Sequence, residues 1–332
     1  MKKSVFKVVS GVIFTALSSS TLADHPTVAF GIGGSGAIQT ISADPAPVGV
    51  WGFGLQTEVI DNDAFSTEQL EGFAASGFEG VHSTDSISNT SVSVSYGLTK
   101  DFSLSARLPY IKRKNIREGE IEDDEPEAHT HGDSSGFGDL VLLGQYRAFE
   151  YNKTNISFNF GVKLPTGETD EKDDDDIRFE TEFQPGTGST DFILGAAIST
   201  GSGSFGYHAN VLYNKTNEGS QSTEIGDVIA YNAALTYRIN NHVDHNHQHA
   251  NTDGLKWNLI LELNGESRRR DKVSGDSEQN TGGTSIFFSP GLRVSGSGLT
   301  GFISYGVPVV ENQHGIQADI DQRIVAGVSA AF

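Results

Sequence analysis

The residues with the most distinctive chemistry lie in one short run, Asn241 to His249, which holds His242, Asp244, His245, His247 and His249. Imidazole suits Zn, Cu and Ni, and histidines this dense can enclose such an ion without a prebuilt fold. Alternating histidines in an extended segment share no face of fixed geometry, so a metal-binding loop and a merely solvated one stand as alternatives. A second group, Glu127, His129, His131 and Asp133, has the same ligand types at lower density. The acidic run Asp170 to Asp176 attracts divalent ions, but it lacks the glycine and spacing of a calcium loop and reads as solvated and self-repelling.

Other chemistry is thin. The chain has no cysteine, which excludes disulfides and thiolate catalysis. Gly201-Ser202-Gly203-Ser204 is out of frame for a nucleophile elbow and falls in a periplasmic turn, and serine is so common that any pairing with histidine is at chance level. No catalytic residue and no enzyme activity are expected, with an outer-membrane lipid hydrolase as a remote alternative. The glycines from Gly31 to Gly36 follow no strand and open no helix, so they are not a phosphate cradle. A net charge of -20 would repel nucleic acid.

The elements that must carry these residues are strands. Only 36% of the chain is hydrophobic while 39 residues are glycine, a balance that favours strands and turns over a helical enzyme. Met1 to Ala23 carries Lys2, Lys3 and Lys7, then an apolar run from Val8 to Leu17, then small residues, which is the layout of a secretory signal peptide. Residues 24–47 are rich in Gly and Pro and read as an irregular lead-in, periplasmic or tucked into a lumen. Residues 48–332 form the third region. No later stretch is long and apolar enough to span a membrane as a helix, so any spanning must be done by strands.

From Val50 onward the period is two. Val92, Val94, Tyr96 and Leu98 alternate with serine and glycine; Phe102, Leu104, Ala106 and Leu108 answer them across a turn at Thr99-Lys100. One continuous strand is predicted from Gly136 to Phe149. Long, charged connections (to Ser88, Arg113–Ser135, Gly167–Gly188, Arg268–Gly282) alternate with mostly short ones, and the strands number about 12. The last strand, Arg323 to Phe332, has one wholly apolar face and ends on an aromatic residue. These features predict an all-β fold, a transmembrane antiparallel barrel of the bacterial outer membrane with long extracellular loops and short periplasmic turns. The terminal strand ending in Phe332 would engage the barrel-assembly machinery, and outer-membrane lipid and lipopolysaccharide would surround the wall.

Opposite the apolar rows lie Arg107, Asp139, Arg147, Lys163, His208, Lys256, Glu262 and Arg293, candidates to line a hydrated lumen bridged by ion pairs. Pro109, Pro165 and Pro308 recur at matching height on three ascending strands. Proline cannot donate to a ladder, so these mark either strand ends or kinks through which an apolar solute could leave sideways.

Ser135-Gly136-Phe137-Gly138-Asp139-Leu140, Gln145-Tyr146-Arg147, Gly161 to Gly167 and Gln184-Pro185-Gly186-Thr187-Gly188-Ser189 together resemble the outer-membrane family labelled "MetA-pathway of phenol degradation". The resemblance implies a porin-like transporter akin to the long-chain fatty acid channel, and its motifs mark wall and rim positions without carrying over a catalytic residue. The expected function is a channel or transporter for small solutes, apolar or aromatic ones included. The alternative is an outer-membrane metal-handling protein that holds Zn, Cu or Ni at the His-rich run, which strand parity places on the periplasmic side.

Overall fold

Our computed structural model describes residues 37–78, 80–239 and 254–332. The signal-peptide reading and the His-rich run 242–249 lie outside these residues.

Alternation of apolar and small or polar side chains builds twelve long strands: β1 (Trp51–Asp63), β2 (Ser86–Thr99), β3 (Phe102–Glu122), β4 (Leu140–Tyr151), β5 (Thr154–Leu164), β6 (Asp191–Ser202), β7 (Phe205–Lys215), β8 (Val228–Arg238), β9 (Lys256–Arg268), β10 (Gly283–Gly296), β11 (Leu299–Gln313) and β12 (Asp319–Ala331). Each pairs antiparallel with the next, and β12 returns to β1 from Gly52↔Ala331 to Asp63↔Asp319. The ring is closed, so no backbone edge is left to face hydrocarbon. Among the described residues no helix is long and apolar enough to cross a membrane.

Period two fixes which face each residue takes. Trp51, Phe53 and Leu55 on β1 and Trp257, Leu259, Leu261 and Leu263 on β9 are exposed, whereas Glu58 and Glu262 are 1% exposed. A soluble protein would reverse that assignment; a wall in lipid requires it. At the short-turn end aromatic side chains form a girdle, with Trp51 against Tyr96 at 4.6 Å and Phe205 against Tyr237 at 4.9 Å between ring centroids. The turns there are tight: Asn152 and Lys153, both at positive φ (46° and 67°), join β4 to β5. At the other end the first connection holds one helix, α1 (Thr67–Ala75), started by a capping box between Ser66 and Gln69.

Two expectations change here. Arg113–Ser135 is not a loop: β3 runs on to Glu122, turns at Asp123-Asp124, and returns as an arm, Glu125–Phe137. Above the wall its charged residues either meet water or pair with the loops, as Arg113 does at 0% exposure, so the apolar alternation that reveals a lipid-facing strand is missing. The strand predicted from Gly136 to Phe149 is also interrupted. β3 pairs with β4 only as far as Arg107↔Val141, and from Tyr110↔Phe137 its neighbour is the arm. Gly138 and Asp139 are the break between them.

Candidate functional site: a plugged lumen and a glycine clasp

Residues 37–47 run through the inside of the barrel. Ile38, Thr40 and Ala43 are at most 1% exposed, and the packing alternates apolar and polar partners. Ile41 and Ala43 sit against Val141, Leu143, Ile193 and Leu212, while Ala37 and Ile38 sit against Ala234, Ile260 and Val325. Polar anchoring centres on Glu262. Its Oε1 accepts from the Thr40 N–H at 2.9 Å, from the Thr40 hydroxyl at 2.8 Å and from the Gln39 N–H at 3.1 Å. Ile41 N–H donates to Asn210 Oδ1 at 2.9 Å, and Ala43 N–H donates to Ser199 Oγ at 2.8 Å. Ser199 also meets Nδ1 of His208 at 2.9 Å, and Arg293 donates to the Ala37 carbonyl at 3.5 Å. The plug leaves the lumen across Gly97, where a Cβ would lie 2.0 Å from the Pro47 carbonyl oxygen.

Glu262, His208 and Arg293 thus form the plug's cradle. Arg107, Asp139 and Lys163 line a cavity of about 130 Å³. The other candidates sit elsewhere: Arg147 bonds Asp101 at 2.9 Å beside the short β2–β3 turn, and Lys256 is exposed at the start of β9. Sequence reading passed over Glu58, Glu266, Arg268 and Arg323, all buried. Arg323 lies 3.8 Å from Glu58, donates to Asn264 at 3.0 Å and stacks on Phe287 at 3.9 Å. Strict period-two counting from Leu55 and Leu261 would have placed Glu58 and Glu266 inward.

The cavity wall combines apolar residues (Pro109, Ile111, Val141, Ile193, Leu212) with charged ones (Arg107, Arg268, Glu266). Its rim is a clasp in which the separate Gly-rich motifs meet. Asp139 Oδ1 accepts from Gly167 N–H at 2.9 Å, and its Oδ2 accepts from Thr187 N–H at 3.0 Å and the Thr187 hydroxyl at 2.7 Å. Lys163 bridges Asp139 at 3.0 Å and Asp191 at 2.8 Å. The glycines allow backbone to lie on backbone: a Cβ on Gly167 would be 2.6 Å from Gly186 Cα and 2.7 Å from the Gly138 carbonyl carbon. Gly167→Ala is therefore expected to lower the thermal midpoint of the folded barrel, followed by heat-modifiable gel mobility, whereas Gly254→Ala, with open space around it, is expected to leave it unchanged.

The three prolines do not share one environment. Pro109 faces the Gly138–Asp139 break, and its carbonyl accepts from Gly138 N–H at 2.9 Å. Pro308 sits where the β10–β11 register shifts between Ile286 and Phe287. Pro165 follows the last residue of β5.

The group Glu127, His129, His131 and Asp133 does not assemble as one site. Asp133 pairs with Lys112 at 3.3 Å, while the two histidines turn to carboxylates of other segments. His131 has a raised pKa through its hydrogen bond to Glu118. For His82, burial would depress the pKa, but Glu118 and Glu182 overcome it and raise it well above the usual value.

A second rim carboxylate, Asp227, offers a measurable pH dependence. Burial raises its pKa, but Lys215, Tyr213 and both donors of Thr216 outweigh that and hold it at about 2, below the ordinary 3.8. The lowered value stabilises the folded state above the ordinary pKa, and the contribution disappears as pH falls from 3.8 towards about 2. Denaturant midpoints should fall across that window, and Asp227→Asn should flatten the slope there.

A closed twelve-stranded wall with an aromatic girdle, a polar interior and an internal plug defines a barrel of the bacterial outer membrane. The chain belongs to the family described as "MetA-pathway of phenol degradation", whose sequence model matches residues 69–307. No curated protein matches in sequence. Among solved structures, the chain is similar to an outer membrane channel from Pseudomonas putida F1, at 14% identity over 87% of this chain and 98% of that one, with a TM-score of 0.58. The NanC porin (9% identity, 84% and 98% covered, TM-score 0.45) and LpxR from Salmonella typhimurium (11%, 83% and 99%, TM-score 0.43) are more distant.

Proposed function

We propose that this protein is an outer-membrane channel that conducts small solutes carrying an apolar or aromatic body, with the lumen cavity as its binding station. The cavity itself carries the reading. At about 130 Å³, with Pro109, Ile111, Val141, Ile193 and Leu212 on its wall, it is the size of engineered apolar cavities that take a single aromatic ring. Arg107 and Arg268 on the same wall would meet a hydroxyl or carboxylate substituent, so the favoured cargo is a small aromatic with one polar or anionic end. The family's label, which associates it with phenol degradation, is consistent with that class.

The way out is proposed at the Gly138–Asp139 break beside Pro109, where β3 changes neighbours and the ladder is weakest. Proteoliposomes loaded with the barrel should take up benzoate or phenol faster than empty vesicles. Ile193→Trp, which fills the cavity from the wall, should slow that uptake several-fold while the barrel still folds. Equal uptake by filled and unfilled barrels would remove the cavity from the path.

A further inference from the structure

Above the wall, at the long-loop end, imidazoles and carboxylates converge from separate segments. His82 lies on a short strand, Val81–Ser83, directly opposite Glu118 of β3. Glu180 and Glu182 come from the single helical turn at Thr181–Phe183 and the residue before it. Glu182 Oε1 is 3.1 Å from His82 Nδ1; Glu118 Oε2 and Glu180 Oε2 are 3.3 Å and 3.9 Å from its Nε2. The same Glu118 oxygen is 3.3 Å from Nε2 of His131, whose Nδ1 meets Asp173 at 3.3 Å.

We propose that His82, Glu180 and Glu182 bind one divalent transition ion of the Zn class, with Glu118 and His131 as the outer support of that site. One ligand atom from each of the three residues lies within 4.8 Å of the others. A tetrahedral ion with bonds of about 2.1 Å has ligand edges of about 3.4 Å, so the shell closes with a shift of about 1 Å. Glu180, whose side chain is 66% exposed, is free to make that shift.

The remaining requirements are met by fixed groups. With Nδ1 of His82 on the ion beside Glu182, its Nε2 meets Glu118, the arrangement that orients metal-bound imidazoles. Phe183 lies edge-on to the His82 ring at 4.8 Å, and its carbonyl is held by Ser134 Oγ at 2.6 Å and Arg113 at 3.2 Å. Four carboxylates (Glu118, Asp173, Glu180, Glu182) face two imidazoles, and among the described residues their ion pairs are with histidines, so the cluster holds surplus negative charge that a dication would neutralise. A cavity of about 800 Å³ borders His82, Glu180 and Glu182 and gives an ion room to enter. An imidazole among the ligands favours Zn, Ni or Cu over Ca or Mg.

The test starts from a full-length barrel in which His242, His245, His247 and His249 are already alanine, so that the His-rich run contributes nothing. Titration calorimetry with zinc chloride should show binding that loses one molar equivalent in His82→Ala/Glu182→Gln, and magnesium chloride at the same concentration should give no comparable signal. Glu180→Gln alters only an exposed carboxylate. With folding verified by heat-modifiable mobility, it should weaken zinc binding several-fold. Glu120, Glu122 and His129, a separate group, stay unchanged in every variant and add the same background. Zinc binding of equal stoichiometry and affinity in parent and variants, or none in the parent, would overturn the proposal.

Discussion

Removing everything ahead of Val48 from the exported chain should raise the ionic conductance of the barrel several-fold. Residues 37–43, all buried but the half-buried Ser42, occupy the lumen and are held through Glu262, Asn210 and Ser199. Without them a twelve-stranded ring keeps a polar, water-accessible interior lined by Glu58, Arg323, Asn264 and Glu262. Single-channel recordings in planar bilayers should show a several-fold larger conductance for the shortened chain. Glu262→Ala in the intact chain should give flickering openings to the same level, because it strands the Gln39 and Thr40 donors and loosens the plug without removing it. Unchanged conductance in both would mean that the plug does not limit flow.

The second large effect is expected at Lys163. Its ammonium lies between Asp139 and Asp191, whose side chains are 4% and 2% exposed. Lys163→Ala leaves two buried carboxylates without their cation, and removing one partner of such a pair costs about 3–5 kcal/mol. Urea unfolding in detergent or lipid vesicles should show a loss of that order. Lys163→Ala/Asp139→Asn/Asp191→Asn should recover part of it, since amides need no counter-charge. Asp139 also holds the Gly167 and Thr187 amides, so the recovery stays incomplete.

The wall was legible because its signal is local. A residue's neighbours two places away decide its face, and Trp257, Leu259, Leu261 and Leu263 declare the lipid side without any tertiary information. The clasp was half legible. The glycine motifs stood out, but that Gly167 lies against both Gly138 and Gly186 is a property of three segments whose meeting no single stretch encodes. The His82 cluster was illegible for the same reason. His82, Glu118 and Glu182 are separated by long stretches of chain, and only register across the Val81–Ser83 strand and the anchoring of Phe183 brings them together. The break at Gly138–Asp139 was missed because Phe137 and Leu140 flank it as apolar residues and nothing local marks the change of neighbour.

The ring's seam has a consequence for how the molecule is made. β1 and β12, the first and last strands of the wall, pair there, with Trp51 and Phe332 exchanging backbone hydrogen bonds at 2.9 Å. Such a contact is the slowest kind to form, because the whole intervening chain must be arranged first. The plug also reaches partners far along the chain, Glu262 at 223 residues' separation and the Arg293 guanidinium at 256. It lies immediately before β1 and grips β9 and β10, so its contacts tie the start of the wall to its late strands before the seam need close. Barrels lacking it should refold more slowly into vesicles even where their final stability is little changed.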